Sequence, residues 1–319
     1  MSGFEIPVRV TEIEQATSSV RRFRLAPTSG ETLPPFAAGA HVVVLMPAAD
    51  RTIRNAYSLV DRAEDGSSYR IGVLRTQESR GGSKFMHESV AVGSELKITM
   101  PVNLFPLFLP GRRHLLVAGG IGITPIYAMA EELRRTDADY EIHYAVRAEE
   151  HGAFIAELRE RHGDRLKLYR SNLQEILALG EILPNQPLGT HLYVCGPAGM
   201  IEAVLEEGLA AGWPKQNLHS ERFQAPPAGD PFSVRLARAG ITCEVRGDQS
   251  LLEAVEAAGV DAPFLCRGGA CGQCEVPVLE ADGELVHNDH FLTDAERSSG
   301  KKIMLCVSRL AGRELIIDL

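Results

Sequence analysis

The chain has 319 residues, 24% charged and 45% hydrophobic, which predicts two or three folded domains of ordinary globular composition. A formal net charge of −9 argues against nucleic-acid binding, since a grip on phosphates needs a basic face. No apolar run nears the roughly 20 residues that cross a bilayer, and MSGFEIPVRV lacks the basic-then-apolar order of a signal peptide, so a cytoplasmic protein without a membrane partner is expected.

Residues 1 to about 110 read as short strands divided by turns: VRVTEIEQATSSVRRFRLAP, AHVVVLMP, NAYSLV, YRIGVLR and SELKITMP. β-Branched residues dominate these runs and glycine or proline recurs between them, which predicts an antiparallel barrel. From HLLVAGG onward strand and helix alternate: ITPIYAMAEELRR, YEIHYAVR, AFIAELRERHG, LKLYRS, HLYVCGP and GMIEAVLEEGLAAG. That alternation predicts βαβ units around a parallel sheet. QAPPAGDP reads as a linker, and two strands, the helix SLLEAVEAAG and a glycine-rich cysteine loop follow it. Three modules result, at 1–110, 111–225 and 226–319.

Four of the six cysteines lie in the last 54 residues, as Cys266-x4-Cys271-x2-Cys274 and, 31 residues on, Cys306. In a reducing compartment such a group is a metal or redox site before it is a set of disulfides. The spacing is that of a plant-type [2Fe–2S] centre, whose two irons need four thiolates at close quarters. Gly268, Gly269 and Gly272 let the backbone curl around it, with N–H groups directed at sulfur. Structural zinc usually takes two cysteine pairs rather than a triplet and a distant single; zinc, disulfides and plain core thiols stay as alternatives. Cys243 and Cys195 each have a reading as small buried hydrophobes.

A one-electron carrier needs a source. VAGGIGITPI ends a strand in Gly119, Gly120 and Gly122 and starts a helix at Thr124-Pro125, where glycines admit a pyrophosphate and free N–H groups attract it. YVCGPAGMIEAV repeats the pattern, with Cys195, Gly196 and Pro197 at the carboxyl edge of the sheet. After YEIHYAV come Arg147, which suits a 2′-phosphate, and Glu149 and Glu150, which suit the ribose hydroxyl of NADH.

GGIGITP followed by CGP is similar to the pyridine-nucleotide domain of the ferredoxin–NADP reductase superfamily. With a C-terminal plant-type ferredoxin, the whole chain resembles the phthalate dioxygenase reductase family, which includes vanillate demethylase and phenoxybenzoate dioxygenase reductases. The resemblance implies a six-stranded antiparallel flavin barrel, an α/β nucleotide domain and an α+β ferredoxin domain of the β-grasp type. It implies FMN on RNAYSLV, with Tyr57 packed on the isoalloxazine and Ser58 near its reactive edge. Arg75, Arg80, Gly81, Gly82 and Ser83 would cradle the phosphate. No adenine-stacking aromatic stands beside them, which favours FMN over FAD. HSERF would bring Phe223 and Glu221 near the flavin. The family's R-x-Y-S departs here: Asn55 takes the arginine's place, and Arg54, one residue earlier in a strand, faces the other way.

The function implied is that of an NADH-dependent reductase. Hydride passes to FMN and single electrons leave through a [2Fe–2S] cluster on Cys266, Cys271, Cys274 and Cys306. The acceptor is the Rieske-type terminal oxygenase of an aromatic-degradation system, and the reductase is a monomer. Ser58 and Cys195 would position the rings. A stand-alone flavin diaphorase or a redox sensor built from the same modules is the alternative. The organic substrate is the partner's choice.

Overall fold

The computed structural model describes residues 5–47, 52–77, 81–223 and 228–319. Its contacts gather into two compact units, one chiefly of Phe4–Met46 and Tyr57–Phe223, the other chiefly of Pro47–Ala56 and Gln224–Leu319.

Six strands make the barrel: β1 (Glu5–Gln15), β2 (Val20–Pro27), β3 (Ala40–Pro47), β4 (Thr52–Arg62), β5 (Tyr69–Leu74) and β6 (Glu95–Thr99). They pair antiparallel in the order β4-β5-β2-β1-β6-β3, and a β3–β4 pairing closes the ring. Alternation drives it: in β1, Val8 and Val10 are fully buried while Arg9 is exposed. Between β5 and β6 a short helix, α1 (Gly82–Glu88), occupies a stretch that reads only as a glycine turn. The two-residue β7 (Val102–Asn103) then pairs with the start of β3.

The chain continues as β8 (Arg113–Gly119), α2 (Ile123–Arg135), β9 (Tyr140–Val146), α3 (Ile155–His162), β10 (Leu166–Arg170), α4 (Leu179–Ile182), β11 (Thr190–Cys195), α5 (Ala198–Ala210) and β12 (Leu218–Glu221). The strands form a parallel sheet in the order β10-β9-β8-β11-β12. All of β8 after Arg113 is buried, as a central strand covered on both faces must be. Cys195 stands level with Ala118 on one side and Glu221 on the other, so three strands present their carboxyl ends together.

The last module holds β13 (Phe232–Leu236), β14 (Ile241–Val245), α6 (Leu251–Ala257), β15 (Glu275–Ala281), β16 (Glu284–Val286), α7 (Asp294–Ser299), β17 (Lys302–Met304), β18 (Arg309–Ala311) and β19 (Glu314–Ile317). Its sheet runs β14-β13-β19-β15-β17, with β13 and β19 parallel and the other pairs antiparallel. Ser250 starts α6 with a reciprocal cap: its hydroxyl accepts from Glu253 N–H and Glu253 returns the bond to Ser250 N–H. This mixed sheet with its helix is the expected β-grasp arrangement. Among the described residues no helix is long and apolar enough to cross a membrane.

Barrel and parallel sheet share one core, in which Val20, Val60 and Phe105 pack with Ile123, Ile126, Tyr127 and Met129 of α2. An ionic knot lies beside it. Glu157 on α3 pairs with Arg22 of β2 and, at 3.0 Å, with Arg70 of β5, and accepts the Tyr127 hydroxyl at 2.9 Å. Both guanidiniums also face the Phe154 ring, at 4.2 and 5.3 Å. Removing the carboxylate leaves Arg70 with Asp61 at 2.5 Å and Arg22 with Glu14 at 3.2 Å, so the loss is about 1–2 kcal/mol rather than that of an unpaired buried charge. Glu157→Ala is therefore expected to lower the thermal midpoint of the loaded protein by roughly 2–6 °C, and Glu157→Gln, which keeps the Tyr127 bond, by less; calorimetry on the two variants checks this.

Candidate redox site

The cysteine loop lies between α6 and β15. Its φ is +54° at Arg267, +74° at Gly269 and +74° at Gly272, so the chain reverses its curl three times within six residues. At two of these positions space as well as torsion requires glycine. A Cβ on Gly269 would stand 2.7 Å from Val307, and one on Gly272 would stand 2.4 Å from the Phe291 ring. Gly268 differs: a Cβ there would meet nothing closer than 3.8 Å, and no left-handed φ asks for glycine.

The four thiols converge. Cys274 Sγ is 3.2 Å from Cys306 Sγ, and Cys266 lies within hydrogen-bonding reach of both Cys271 and Cys306. The contact with Cys271 holds the Cys266 thiol far below its usual range, and contact with Cys266 pushes Cys271 and Cys306 up. Gly268 N–H donates to Cys266 Sγ at 3.4 Å. Soft sulfur ligands gathered in this way, one already receiving a backbone donor, suit thiolate ligation of iron, although among the described residues they do not stand as one metal-holding group. Cys243 stands apart, half-buried against the core of this module.

The left-handed Arg267 has a support that the sequence does not announce. Glu256 on α6 takes its guanidinium in a two-pronged ion pair, one prong at 3.1 Å, while the Phe264 ring lies 3.9 Å beneath it. Glu256 also faces Arg54 at 3.6 Å. Arg54 is thus engaged by this carboxylate; Asn55 follows it, half-buried.

At the carboxyl edge of the parallel sheet, the two glycine turns press against each other. A Cβ on Gly122 would stand 2.2 Å from the Cys195 carbonyl, and one on Gly119 2.6 Å from Pro197. These glycines are required by the neighbouring turn. Gly120, with φ +52°, is the exception, because its Cβ direction is open. Helix α2 starts at Ile123 after a single 3₁₀ turn; the Thr124 hydroxyl is buried and donates back to Ile121 O at 3.1 Å, and Pro125 is buried in the first turn.

Cys195 is fully buried, and burial, then the charge of Glu221, pushes its thiol well above its usual range. Glu221 is itself pushed up to about 8 by burial, and its Oε2 has no hydrogen-bond partner. Both groups are therefore neutral at pH 7. Phe223 is 47% exposed just beyond. Arg147 is exposed at the end of β9. Glu149, expected to face the ribose, is already taken by Arg159 and, at 3.2 Å, by Arg170. Glu150 remains as the exposed acid beside them.

On β4, Tyr57 is half-buried and Ser58 is 4% exposed, its Oγ buried without a hydrogen-bond partner. A buried hydroxyl left without a partner suits a polar acceptor such as the edge of a flavin ring. Gly81, with φ +111°, leads into α1, whose Gly82 and Ser83 are buried. Ser83 Oγ lies 3.0 Å from Thr76 Oγ1. Arg75 is held by Glu88 at 2.9 Å, so its charge is shared, though such an exposed pair is weak and exchangeable. Arg80 lies outside the described residues.

Residues 106–218 match the family described as dimethylamine monooxygenase subunit DmmA-like, N-terminal domain, and residues 234–311 match the 2Fe-2S iron-sulfur cluster binding domain. The chain is 46% identical over 314 residues to the heme-dependent oxidative N-demethylase beta subunit of Ectopseudomonas mendocina, covering 98% of this chain and 99% of that one. It is 40% identical to the carnitine monooxygenase reductase subunit of Escherichia coli, over all of both chains. Among solved structures, phthalate dioxygenase reductase matches with a TM-score of 0.89 and 32% identity, over 99% of this chain and 98% of that one. The chain belongs to the phthalate dioxygenase reductase family, and it is an oxidoreductase built from flavin, pyridine-nucleotide and [2Fe–2S] modules.

Proposed function

We propose that the chain is the NADH-dependent reductase of a two-component oxygenase. The 1–110 module would hold FMN, which would supply the conversion of a hydride's electron pair from NADH into single electrons, and Cys266, Cys271, Cys274 and Cys306 of the 226–319 module would hold a [2Fe–2S] cluster that would supply the one-electron exit to a Rieske-type centre. The convergence of Cys266, Cys271, Cys274 and Cys306 carries this reading. Onward transfer is downhill, since plant-type clusters lie near about −400 mV and Rieske centres at about −150 to +300 mV.

The chain's own residues position and insulate. Gly119, Gly122, Gly196 and Pro197 lock two turns together, so that Gly120 offers bare backbone beside Thr124 and Pro125 to the pyrophosphate. Ser58 and Cys195 orient the two rings from opposite sides without giving up protons. Glu221 holds its proton at Oε2 and keeps a fixed negative charge out of the hydride path. Tyr57 and Phe223 cover ring faces. Asn55, Arg75 and the Gly81–Ser83 turn, with Arg80, supply polar contacts to FMN. Glu150 weighs against the extra phosphate of NADPH, with Arg147 as its counterweight.

A haem acceptor is a second reading, favoured by the 46% identity to the subunit of a heme-dependent demethylase. Oxygen-dependent turnover with a purified Rieske oxygenase and with a haem N-demethylase subunit separates the two. Acid release of FAD instead of FMN would overturn the flavin assignment.

Cys271→Ala is expected to abolish the cluster's visible absorption and cut electron delivery to the oxygenase to background, while NADH-driven ferricyanide reduction persists. Steady-state assays with both acceptors check it. Gly120→Asn, a residue tolerant of left-handed backbone, should raise KM for NADH with little change in unfolding midpoint, whereas Gly122→Ala should lower the midpoint because its methyl meets the Cys195 carbonyl. Glu221 binds its proton more tightly folded, at about 8, than at its ordinary 4.5. Its contribution to stability is complete below about 4.5 and is lost as pH rises to 8, on the order of 1 kcal/mol per pH unit. Denaturant titrations should show that decline in the wild type and a flatter profile in Glu221→Gln.

A further inference from the structure

Beside the cysteine loop one carboxylate serves two guanidiniums. Glu256 on α6 receives Arg267 through both of its oxygens, and Oε2, which lies 3.1 Å from Arg267 Nη1, is also 3.6 Å from Arg54 Nη1. The three side chains are largely shut from water, at 16% exposure for Glu256, 8% for Arg267 and 27% for Arg54. Among the described residues neither arginine pairs with a second acid. The Arg267 guanidinium otherwise lies over the Phe264 ring, and Arg54 Nη1 donates to Thr52 O at 3.3 Å. Two cations thus share one anion, and the triad carries one net positive charge.

Both arginines are fixed close to the loop. Arg267 follows Cys266 directly, in left-handed backbone, so its charge is tied to the first cysteine. Arg54 comes from β4, and the first residues of that strand, up to Ala56, gather in the same compact unit as the loop. A [2Fe–2S] centre held by four thiolates becomes more negative when it takes up an electron, and the net charge around it is one of the settings of its potential. Charges removed from water are weakly screened by salt, so an unbalanced one is felt beyond its own contacts.

We propose that the Arg54–Glu256–Arg267 triad tunes the reduction potential of the cluster through its uncompensated positive charge, which favours the reduced, more negative state. Glu256 and Arg267 by themselves cancel, so Arg54 supplies the excess. This rests on the four cysteines holding the cluster, and extends that reading from ligation to the energy of the electron. Arg54 thereby has a task of its own at the iron–sulfur end of the relay, independent of any flavin contact.

A redox titration of the holoprotein, followed through the electron paramagnetic resonance signal of the reduced cluster, tests it. Arg54→Gln is expected to lower the midpoint, by roughly fivefold in electron affinity or about 40 mV at 59 mV per tenfold, the order of one poorly screened charge. Arg54→Lys, which keeps the charge, should stay at the wild-type value. Glu256→Gln should raise the midpoint by a similar amount. Arg54→Gln and Glu256→Gln combined should return it to wild type, because each removes one charge of opposite sign. A triad that only braces the loop would not move the two single variants in opposite directions. Should Glu256→Gln lose its cluster, Arg54→Gln and Arg54→Lys decide alone. An Arg54→Gln midpoint equal to wild type, a shift of the same sign in Arg54→Gln and Glu256→Gln, or an Arg54→Lys shift as large as that of Arg54→Gln would overturn the proposal and leave the ligands as assigned. A wild-type protein that binds no iron and sulfide would overturn the ligand assignment, and the proposal with it.

Discussion

Four thiols gathered in one corner of a module, two of them 3.2 Å apart, are an unfavourable thing for a chain to make, since each prefers to be a neutral thiol surrounded by carbon. Everything in the ferredoxin module serves that gathering. Left-handed backbone at Arg267, Gly269 and Gly272 bends the loop tightly enough to bring three cysteines together, and the side chains of Val307 and Phe291 fill the space beside the two glycines. Cys274 and Cys306 belong at the same time to the module's hydrophobic core, beside Ile303, Leu305 and Val307. Were these thiols to hold the cluster, ligation and packing would be one event, and metal affinity would add directly to folding free energy.

Charge is managed differently at the sheet edge. Cys195 and Glu221 face each other across paired strands, and burial keeps both uncharged at neutral pH. Of the ionised groups after β9, Glu149 is tied off by Arg159 and Arg170, while Arg147 and Glu150 stay exposed. A pair of neutral, immobile groups costs no reorganisation when charge develops beside it, which is the electrostatic condition for a positioning role. The glycines of the two turns act first through shape. Three let the backbones touch, and one, Gly120, leaves an open face.

Much of this was legible in the sequence because it is local. Alternating apolar residues foretold the barrel strands, strand–helix alternation foretold the parallel sheet, and the cysteine spacing named the centre before any fold was seen. Short-range patterns of this kind fix torsions and faces within a dozen residues. Helix α1 escaped notice because its seven residues carry a single fully buried apolar side chain, Met86. Strand β12 escaped notice because LHSE has no strand pattern of its own; it is a strand by pairing with β11.

Only the tertiary structure decided which distant groups meet. No pattern in the chain says that Glu157 will compensate arginines 135 and 87 residues earlier, or that Glu256 will hold the loop at Arg267 and face Arg54. Nor does the tetrad HSER say that one oxygen of its half-buried glutamate will be shut away from water, level with a thiol on the next strand, and that its pKa will rise. Desolvation depends on what closes over a side chain, and that is set by the packing of whole elements. The sequence by itself determined the kinds of element and the cofactor chemistry; three-dimensional closure determined which charges survive at the site, because burial and long-range pairing exist only once the chain has folded.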